Sequence, residues 1–464
     1  MPATPVIAIF DVGKTNKKLF LFDQNYKIVL ERSAKFTETV DEDGDPCENL
    51  ESLRLSVFDS LRDLFRNPEY DLRGVNFCTY GASFVYLDDA GHPITPLYNY
   101  LKPYPENLKK QFYQTYGGEE EFSYRTASPV LGSLNSGLQL YRFKYEQPGL
   151  YKKLKVALHL PQYLSYLLSG QYFSDKTSIG CHTNLWNFKK NAYHDWVEQE
   201  AILAKLAPIG LPDEAVATFF SGRNLKVGIG LHDSSAALIP YLVNFHEPFI
   251  LISTGTWCIS LNPFNDTPLT AAELKQDCLC YLNYLGKPVK ASRLFAGYEH
   301  EQQVKRIAEF FQQSPVRYKS MSYNPEILNR QLEAQKELVW TSLSGGFTTE
   351  SIFAKRDLAT FASDEEAYHQ LVLDLATQQI NATGLVLQGT SVKRIFVDGG
   401  FSKNVIYMNA LAQLFPKKEV FAASMAQATA MGAALAIHQA WNEKPLPTDM
   451  IELKYYAHTQ QVSL

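Results

Sequence analysis

Val6-Ile7-Ala8-Ile9-Phe10-Asp11-Val12-Gly13-Lys14-Thr15-Asn16-Lys17-Lys18-Leu19-Phe20-Leu21-Phe22-Asp23 places a short polar turn between two apolar runs. A continuous apolar run reads as a strand covered on both faces. Lys27 to Glu31 supplies a third strand, so the segment predicts an antiparallel meander. The pattern returns about half a chain later, as Phe249 to Ile252, then Ser253-Thr254-Gly255-Thr256-Trp257, then Cys258 to Leu261. Two strand–glycine-turn–strand units predict a duplicated architecture. The boundary falls near Asn244-Phe245-His246-Glu247-Pro248, giving domains 1–245 and 246–464. Both halves continue as mixed strand and helix, which predicts an α/β fold.

Composition narrows the class. The chain has 464 residues, which at roughly 100–200 residues per domain corresponds to two to four domains. Lys and Arg number 44 against 49 Asp and Glu, a formal net charge of −5 without long blocks. That balance argues against broad nucleic-acid binding, which needs clustered cations to neutralise phosphates. Six scattered cysteines form no C-x-x-C pair, so neither a zinc site nor a thioredoxin-type motif is expected. Met1 to Phe10 lacks the basic region and small-residue cleavage site of a signal peptide. Val420 to Asn442 is free of Lys, Arg, Asp and Glu, but it is Ala-rich and carries polar residues, so it reads as a buried helix rather than a membrane span. These features together predict a cytoplasmic protein with no membrane partner.

Four turns carry candidate chemistry. In Asp11 to Lys18, bare backbone at Gly13 can approach phosphate oxygens, and Thr15 and the lysines add donors. Asp11 suits a magnesium ion held through water, since that ion prefers oxygen ligands; an ordinary hairpin turn has the same composition. Ser253 to Trp257 sets three hydroxyls around Gly255, which suits phosphate oxygens or, equally, a Ser/Thr-rich hairpin. Val397-Asp398-Gly399-Gly400-Phe401-Ser402-Lys403-Asn404 follows the strand Ile395 to Val397 and precedes a helix with Ile406, Ala410 and Leu414 on one face, Ser402 being its expected N-cap. A Gly-Gly turn there lets a flat ligand lie against the backbone. Gly230-Leu231-His232-Asp233-Ser234-Ser235 opens the apolar helix Ala236 to Val243. A carboxylate at a helix N-terminus stays ionised and can act as a base or simply as a cap. Asp41-Glu42-Asp43-Gly44-Asp45 fails calcium-loop spacing and reads as a solvated acidic turn.

Taken in order, these segments resemble the FGGY family of carbohydrate kinases, within the actin/hexokinase-like ATPase superfamily. Asp11 to Lys18 resembles its first phosphate motif and Gly230 to Ser235 its catalytic-aspartate motif. Ser253 to Trp257 resembles its second phosphate motif, Asp398 to Asn404 its adenosine motif, and Gln427 to Ala434 the small-residue helix that packs the two domains. The resemblance implies two ribonuclease-H-like domains, each on a mixed sheet, with the active site in the cleft between them. It implies ATP and Mg²⁺, with Asp233 as the catalytic base and Asp11 and Asp233 at the metal. Gly13, Lys14, Thr15, Asn16, Lys18, Thr254, Gly255, Thr256, Gly399, Gly400 and Asn404 would hold ATP, Lys18 standing where the family usually has an arginine. Tyr80, Ser83 and His232 would touch the sugar.

Within the family, Thr79 to Phe84 and Leu160 to Gly170 look most like rhamnulokinase and fuculokinase. Two departures lie on the sugar side. Ser83 stands where an aspartate is expected, and Asn99 to Pro103 replaces an aromatic-x-Asp-x-Arg run. The implied activity is ATP-dependent phosphorylation of a ketose hydroxyl, on a 6-deoxy-ketohexose or a ketopentose. Xylulokinase- or glycerol-kinase-like specificity and a non-catalytic sensor on the same fold are the alternatives. The implied partner is a small-molecule sugar, and a homodimer is left open.

Overall fold

The computed structural model describes residues 2–458 except Thr15, Ala82, Pro212, 346–350 and Ala426, and over 336–345 it describes the backbone alone. The chain forms two compact units. One comprises Met1–Asn244, Cys280–Pro288 and Ala426–Met450; the other comprises Phe245–Leu279, Val289–Met425 and Ile451–Leu464. A single division at 245/246 differs from this, because two short segments of the C-terminal half fold with the N-terminal one.

The first unit is built on a seven-stranded sheet. Its order is Ala215–Phe220, Arg223–Gly228, Tyr70–Thr79, Thr4–Val12, Lys17–Asp23 and Ile28–Ala34, with Leu231–His232 also paired to Tyr70–Thr79. Thr4–Val12 runs antiparallel to Lys17–Asp23 and parallel to Tyr70–Thr79, so the sheet is mixed. The meander expected from the sequence is present, its third strand starting one residue later and extending to Ala34. Val6 to Ile9 are all fully buried. Alternate strand residues face opposite sides, and one set, Val6, Ala8 and Phe10, shares a core with Leu53, Val57 and Leu61 of the helix Leu50–Arg66.

The helix Ala428–Ala436 packs against Asp233–Asn244 and Thr4–Val12 within this same unit. Gly432 is required for that approach, since a Cβ there would lie 1.8 Å from the Ala236 carbonyl oxygen. The charge-free stretch Val420 to Asn442 is therefore not one helix. It contains the end of strand Glu419–Ser424, then helices Ala428–Ala436 and His438–Trp441. Gln427, in the left-handed region at φ 57°, separates strand from helix. Among the described residues no helix is long and apolar enough to cross a membrane.

The second sheet has the order Cys278–Leu282, Pro288–Leu294, Cys258–Asn262, Phe249–Thr254, Arg394–Gly399, Glu419–Ser424 and Glu452–Tyr456. Phe249–Thr254, Arg394–Gly399 and Glu419–Ser424 run parallel, and their neighbours are antiparallel. The long helix Asp364–Leu387 is buried along most of its length and joins the sheet residues Ile250, Ile252 and Ile395 in one core. Two mixed sheets in two α/β units make the two-domain actin/hexokinase-like architecture that the sequence implies.

Candidate active site

In the first unit, Asp11 is the penultimate residue of Thr4–Val12, in register with Lys18 on one side and Cys78 on the other. The turn after it closes where the Gly13 N–H donates to the Asn16 carbonyl at 2.9 Å. Thr15 lies outside the described residues. Lys14 Nζ sits 3.1 Å from Glu38 and 3.7 Å from Glu48, Lys17 Nζ 2.8 Å from Glu48, and Lys18 Nζ 2.9 Å from Glu31. Each lysine of the loop thus has a carboxylate partner. The Lys17–Glu48 pair is buried, which makes it a structural tie between this loop and the segment after the hairpin Thr39–Val40/Pro46–Cys47.

Asp233 begins the helix Asp233–Asn244, where the helix dipole favours negative charge. Its Oδ1 accepts the Ser234 N–H at 2.6 Å and lies 3.2 Å from His232 Nε2. Burial pushes the Asp11 carboxyl up to about 6, and the charge of Asp233 adds to the shift, so these two carboxylates interact. His232 is 3% exposed, and burial lowers its pKa, leaving a neutral imidazole beside Asp233. Its backbone N–H donates to Thr177 Oγ1 at 2.9 Å, and that hydroxyl bonds the buried Asp175. The ring is thus held with Nε2 beside the Asp233 carboxylate, and its buried Nδ1 has no hydrogen-bond partner among the described residues.

The Tyr80 ring packs 5.7 Å from that of Tyr100. Burial raises the Tyr100 phenol, with further contributions from the Asp233 and Glu48 charges. Ser83 is 1% exposed, and its hydroxyl donates to the Tyr98 carbonyl at 3.4 Å. It is a core residue in this structure. Asp41 is not part of a solvated turn: it is buried and receives Lys102 Nζ at 2.6 Å, with Asp43 at 2.7 Å and Asp45 at 3.4 Å from the same nitrogen. An internal ammonium thus neutralises the acidic hairpin.

In the second unit, Thr254 and Gly399 are in register at the ends of parallel strands. The Thr254 hydroxyl donates to the Asp398 carbonyl at 2.6 Å and accepts the Phe401 N–H at 3.0 Å, while the Gly400 N–H donates to the Thr254 carbonyl at 2.9 Å. These bonds lace the second phosphate turn to the Gly-Gly turn. Gly399 sits at φ 93° and would place a Cβ 2.0 Å from the Thr254 carbonyl oxygen, whereas at Gly400 a Cβ meets nothing within 4 Å. The Thr256 carbonyl accepts the Gly297 N–H at 3.1 Å.

A cavity of about 850 Å³ is lined by Gly255, Gly297, His300, Tyr368, Gly400 and Asn404 among others. The N-cap of Val405–Leu414 is Asn404, whose Oδ1 accepts from Ile406 and Tyr407 N–H, and not Ser402. Ser402 instead donates to the Gly399 carbonyl at 2.8 Å, which tightens the turn. Sequence reading does not single out Tyr100, Lys17, Glu48, Lys102, His300 or Tyr368 as site residues. Their partners are remote in the chain, and the one available signal was the unmatched Asn99 to Pro103 run.

Residues 6–212 match the N-terminal domain of the FGGY family of carbohydrate kinases, and residues 246–445 match the carbohydrate kinase FGGY C-terminal domain. A rhamnulokinase from Halalkalibacterium halodurans is 24% identical over 258 residues, 54% of this chain and 54% of that protein. The matched region thus spans about half the length of the curated relatives. Among solved structures, a carbohydrate kinase from Novosphingobium aromaticivorans superposes with a TM-score of 0.78 at 23% identity, covering 98% of this chain and 94% of the other. A ligand-bound xylulose kinase from Lactobacillus acidophilus gives 0.75 at 15% identity with the same coverage. At these identities the structural likeness is one of fold. The two domain matches, which account for both halves in order, place the chain in the FGGY family of carbohydrate kinases.

Proposed function

We propose that this chain transfers the γ-phosphoryl group of ATP to a hydroxyl of a ketose, with Asp233 as the base. The observation that carries the reading is the interacting Asp11–Asp233 pair at the head of a helix, beside a glycine turn. Asp233 accepts the proton of the attacking hydroxyl, the new O–P bond forms as the bond from γ-phosphorus to its bridging oxygen breaks, and ADP leaves. Positioning dominates such a transfer, because little covalent chemistry falls to the protein. The neutral His232 beside Oδ1 orients the carboxylate and adds no competing positive charge.

Asp11 and Asp233 also fit a magnesium ion. Both are oxygen donors, and the charge of Asp233 adds to the burial that raises Asp11, so a cation between them would relieve their repulsion. Asp11 would hold the ion through water and Asp233 would lie beside it; the ion would neutralise charge on the transferring phosphates. Gly13, Lys14, Asn16 and Lys18 line the first phosphate turn in this reading, joined by Thr15. Gly255, Thr256, Gly399 and Gly400 form the nucleotide side. Thr254 and Asn404 shape that side through hydrogen bonds already made within it.

For the sugar, we read a 6-deoxy-ketohexose of the rhamnulose and fuculose kind, or a ketopentose. The Tyr80–Tyr100 wall suits a methyl group or an apolar sugar face, and the buried Ser83 removes the charged grip that an aspartate would give. Loss of one charge-assisted bond costs about 1.5–3 kcal/mol, which favours a neighbouring ketose such as xylulose over rhamnulose itself unless another group supplies the contact. The test compares kcat/KM for L-rhamnulose, L-fuculose, D-xylulose, L-ribulose and glycerol. A ketose is expected to lead; glycerol at the head of the ranking would overturn the ketose reading, and no turnover on any substrate would favour a sensor.

A further inference from the structure

The helix cap at Asn404 fixes the direction of a hydrogen-bond chain that ends on a histidine of the second unit's cavity. Asn404 Oδ1 accepts two backbone N–H groups, at 3.1 and 3.2 Å, so the amide cannot be flipped and its Nδ2 must face Tyr368. Nδ2 donates to the Tyr368 oxygen at 2.8 Å. That oxygen lies 3.0 Å from His300 Nε2, so the phenolic proton is directed to the imidazole. Burial lowers the His300 pKa to about 4, so the ring is neutral near pH 7. A neutral imidazole accepting at Nε2 carries its proton on Nδ1. Tyr318 and Phe401 edges, at 5.0 and 5.3 Å between ring centres, hold the ring in place, and Nδ1 has no hydrogen-bond partner among the described residues.

We infer that His300 is a nucleotide-contacting donor, preset as the Nδ1–H tautomer by Tyr368 and Asn404, and that it hydrogen-bonds an acceptor oxygen of the bound nucleoside phosphate. His300 lines the same cavity as Gly255 and Gly400, one turn from Gly297, whose N–H is tied to the Thr256 carbonyl. The phosphate turn and the Gly-Gly turn thus border the cavity that His300 lines. Tyr368 acts through the ring and is a positioning residue. This inference rests on reading the cavity as the nucleotide site.

The experiment is titration of the full chain with ATP by calorimetry, for the wild type, His300→Phe, Tyr368→Phe and His300→Gln. It is paired with long-range ¹H–¹⁵N correlation spectra of the histidine-labelled protein. One hydrogen bond contributes roughly 0.5–1.5 kcal/mol, so His300→Phe is expected to weaken ATP about 3- to 10-fold at unchanged sugar KM, with partial rescue in His300→Gln. The wild-type spectrum is expected to show Nδ1–H, and Tyr368→Phe to lose that tautomer preference and part of the affinity. Equal ATP affinity in wild type and His300→Phe, or an Nε2–H wild-type ring, overturns the inference while leaving the kinase reading intact. Absence of ATP binding to the wild type overturns both.

Discussion

The turn after Thr4–Val12 and the turn after Phe249–Thr254 follow the same strand–glycine–strand plan, yet they handle polarity in opposite ways. The first gathers Asp11, three lysines and their glutamate partners, with Asp233 close enough to raise Asp11. The second is held by backbone N–H groups and one threonine hydroxyl, and its cavity is lined by glycines, tyrosines and a neutral histidine together with Lys319 and Lys403. In the proposed reading, the first end serves proton transfer and charge neutralisation and the second serves nucleotide recognition. Substitutions at the first end are expected to change chemistry or charge balance, and those at the second to change nucleotide affinity.

The sharpest break is Asp233→Asn. Asn keeps the size and the capping ability but cannot accept the proton, so turnover should fall about 10²-fold or more, the scale of a positioned base. ATP affinity, read by titration, should stay near wild type. An equal fall in affinity would erase the division of labour between the two ends.

Next is Lys102→Met, which strips the cation from Asp41, Asp43 and Asp45. Removing one member of a buried ion pair costs about 3 kcal/mol, and Asp41 is fully buried. A lower urea midpoint with unchanged slope is expected; an unchanged midpoint would show that solvent alone can neutralise the hairpin.

Gly400→Val sharpens the second end. The added side chain enters open space, so thermal unfolding should hardly move. ATP affinity should drop about tenfold, equivalent to 1.4 kcal/mol, with sugar KM unchanged. Unaltered nucleotide affinity in the folded variant would reduce the Gly-Gly turn to a structural element.

The smallest effect concerns Asp11. Its folded pKa of about 6 lies above the ordinary value of 3.8, so the folded chain binds this proton more tightly than the unfolded one. Stability from this group therefore rises as pH falls from about 6 towards 4 and is lost as pH rises through 6. Asp11→Asn should stabilise the first unit at pH 7 by about 1 kcal/mol, a common size for removing a strained functional group. It should also flatten stability between pH 4 and 6. Lower stability at pH 7 in the variant would mean that the carboxylate is structurally compensated.

Local pattern made the scaffold legible. The apolar runs of Val6 to Phe10, Phe249 to Ile252 and Ile395 to Val397 are strands because nothing in them tolerates water. The glycine turns follow directly from the residues at their ends. Long-range pairing was not legible. Lys102 meets Asp41 across 61 positions, and Lys17 meets Glu48 across 31, with no local mark at either end. Charge-free composition misread Val420 to Asn442 as one helix, since it cannot distinguish a buried strand from a buried helix. Ser402 and Asn404 are both good caps by residue type, and only the tight turn at Phe401–Lys403 decides between them.

The decisive measurement of kinase activity is single-turnover transfer from γ-³²P-labelled ATP, with the ketose panel supplied in turn. Label is expected on a ketose, at a rate lost in Asp233→Asn. Label released only as inorganic phosphate, or ATP left intact with every ketose, would contradict the kinase reading.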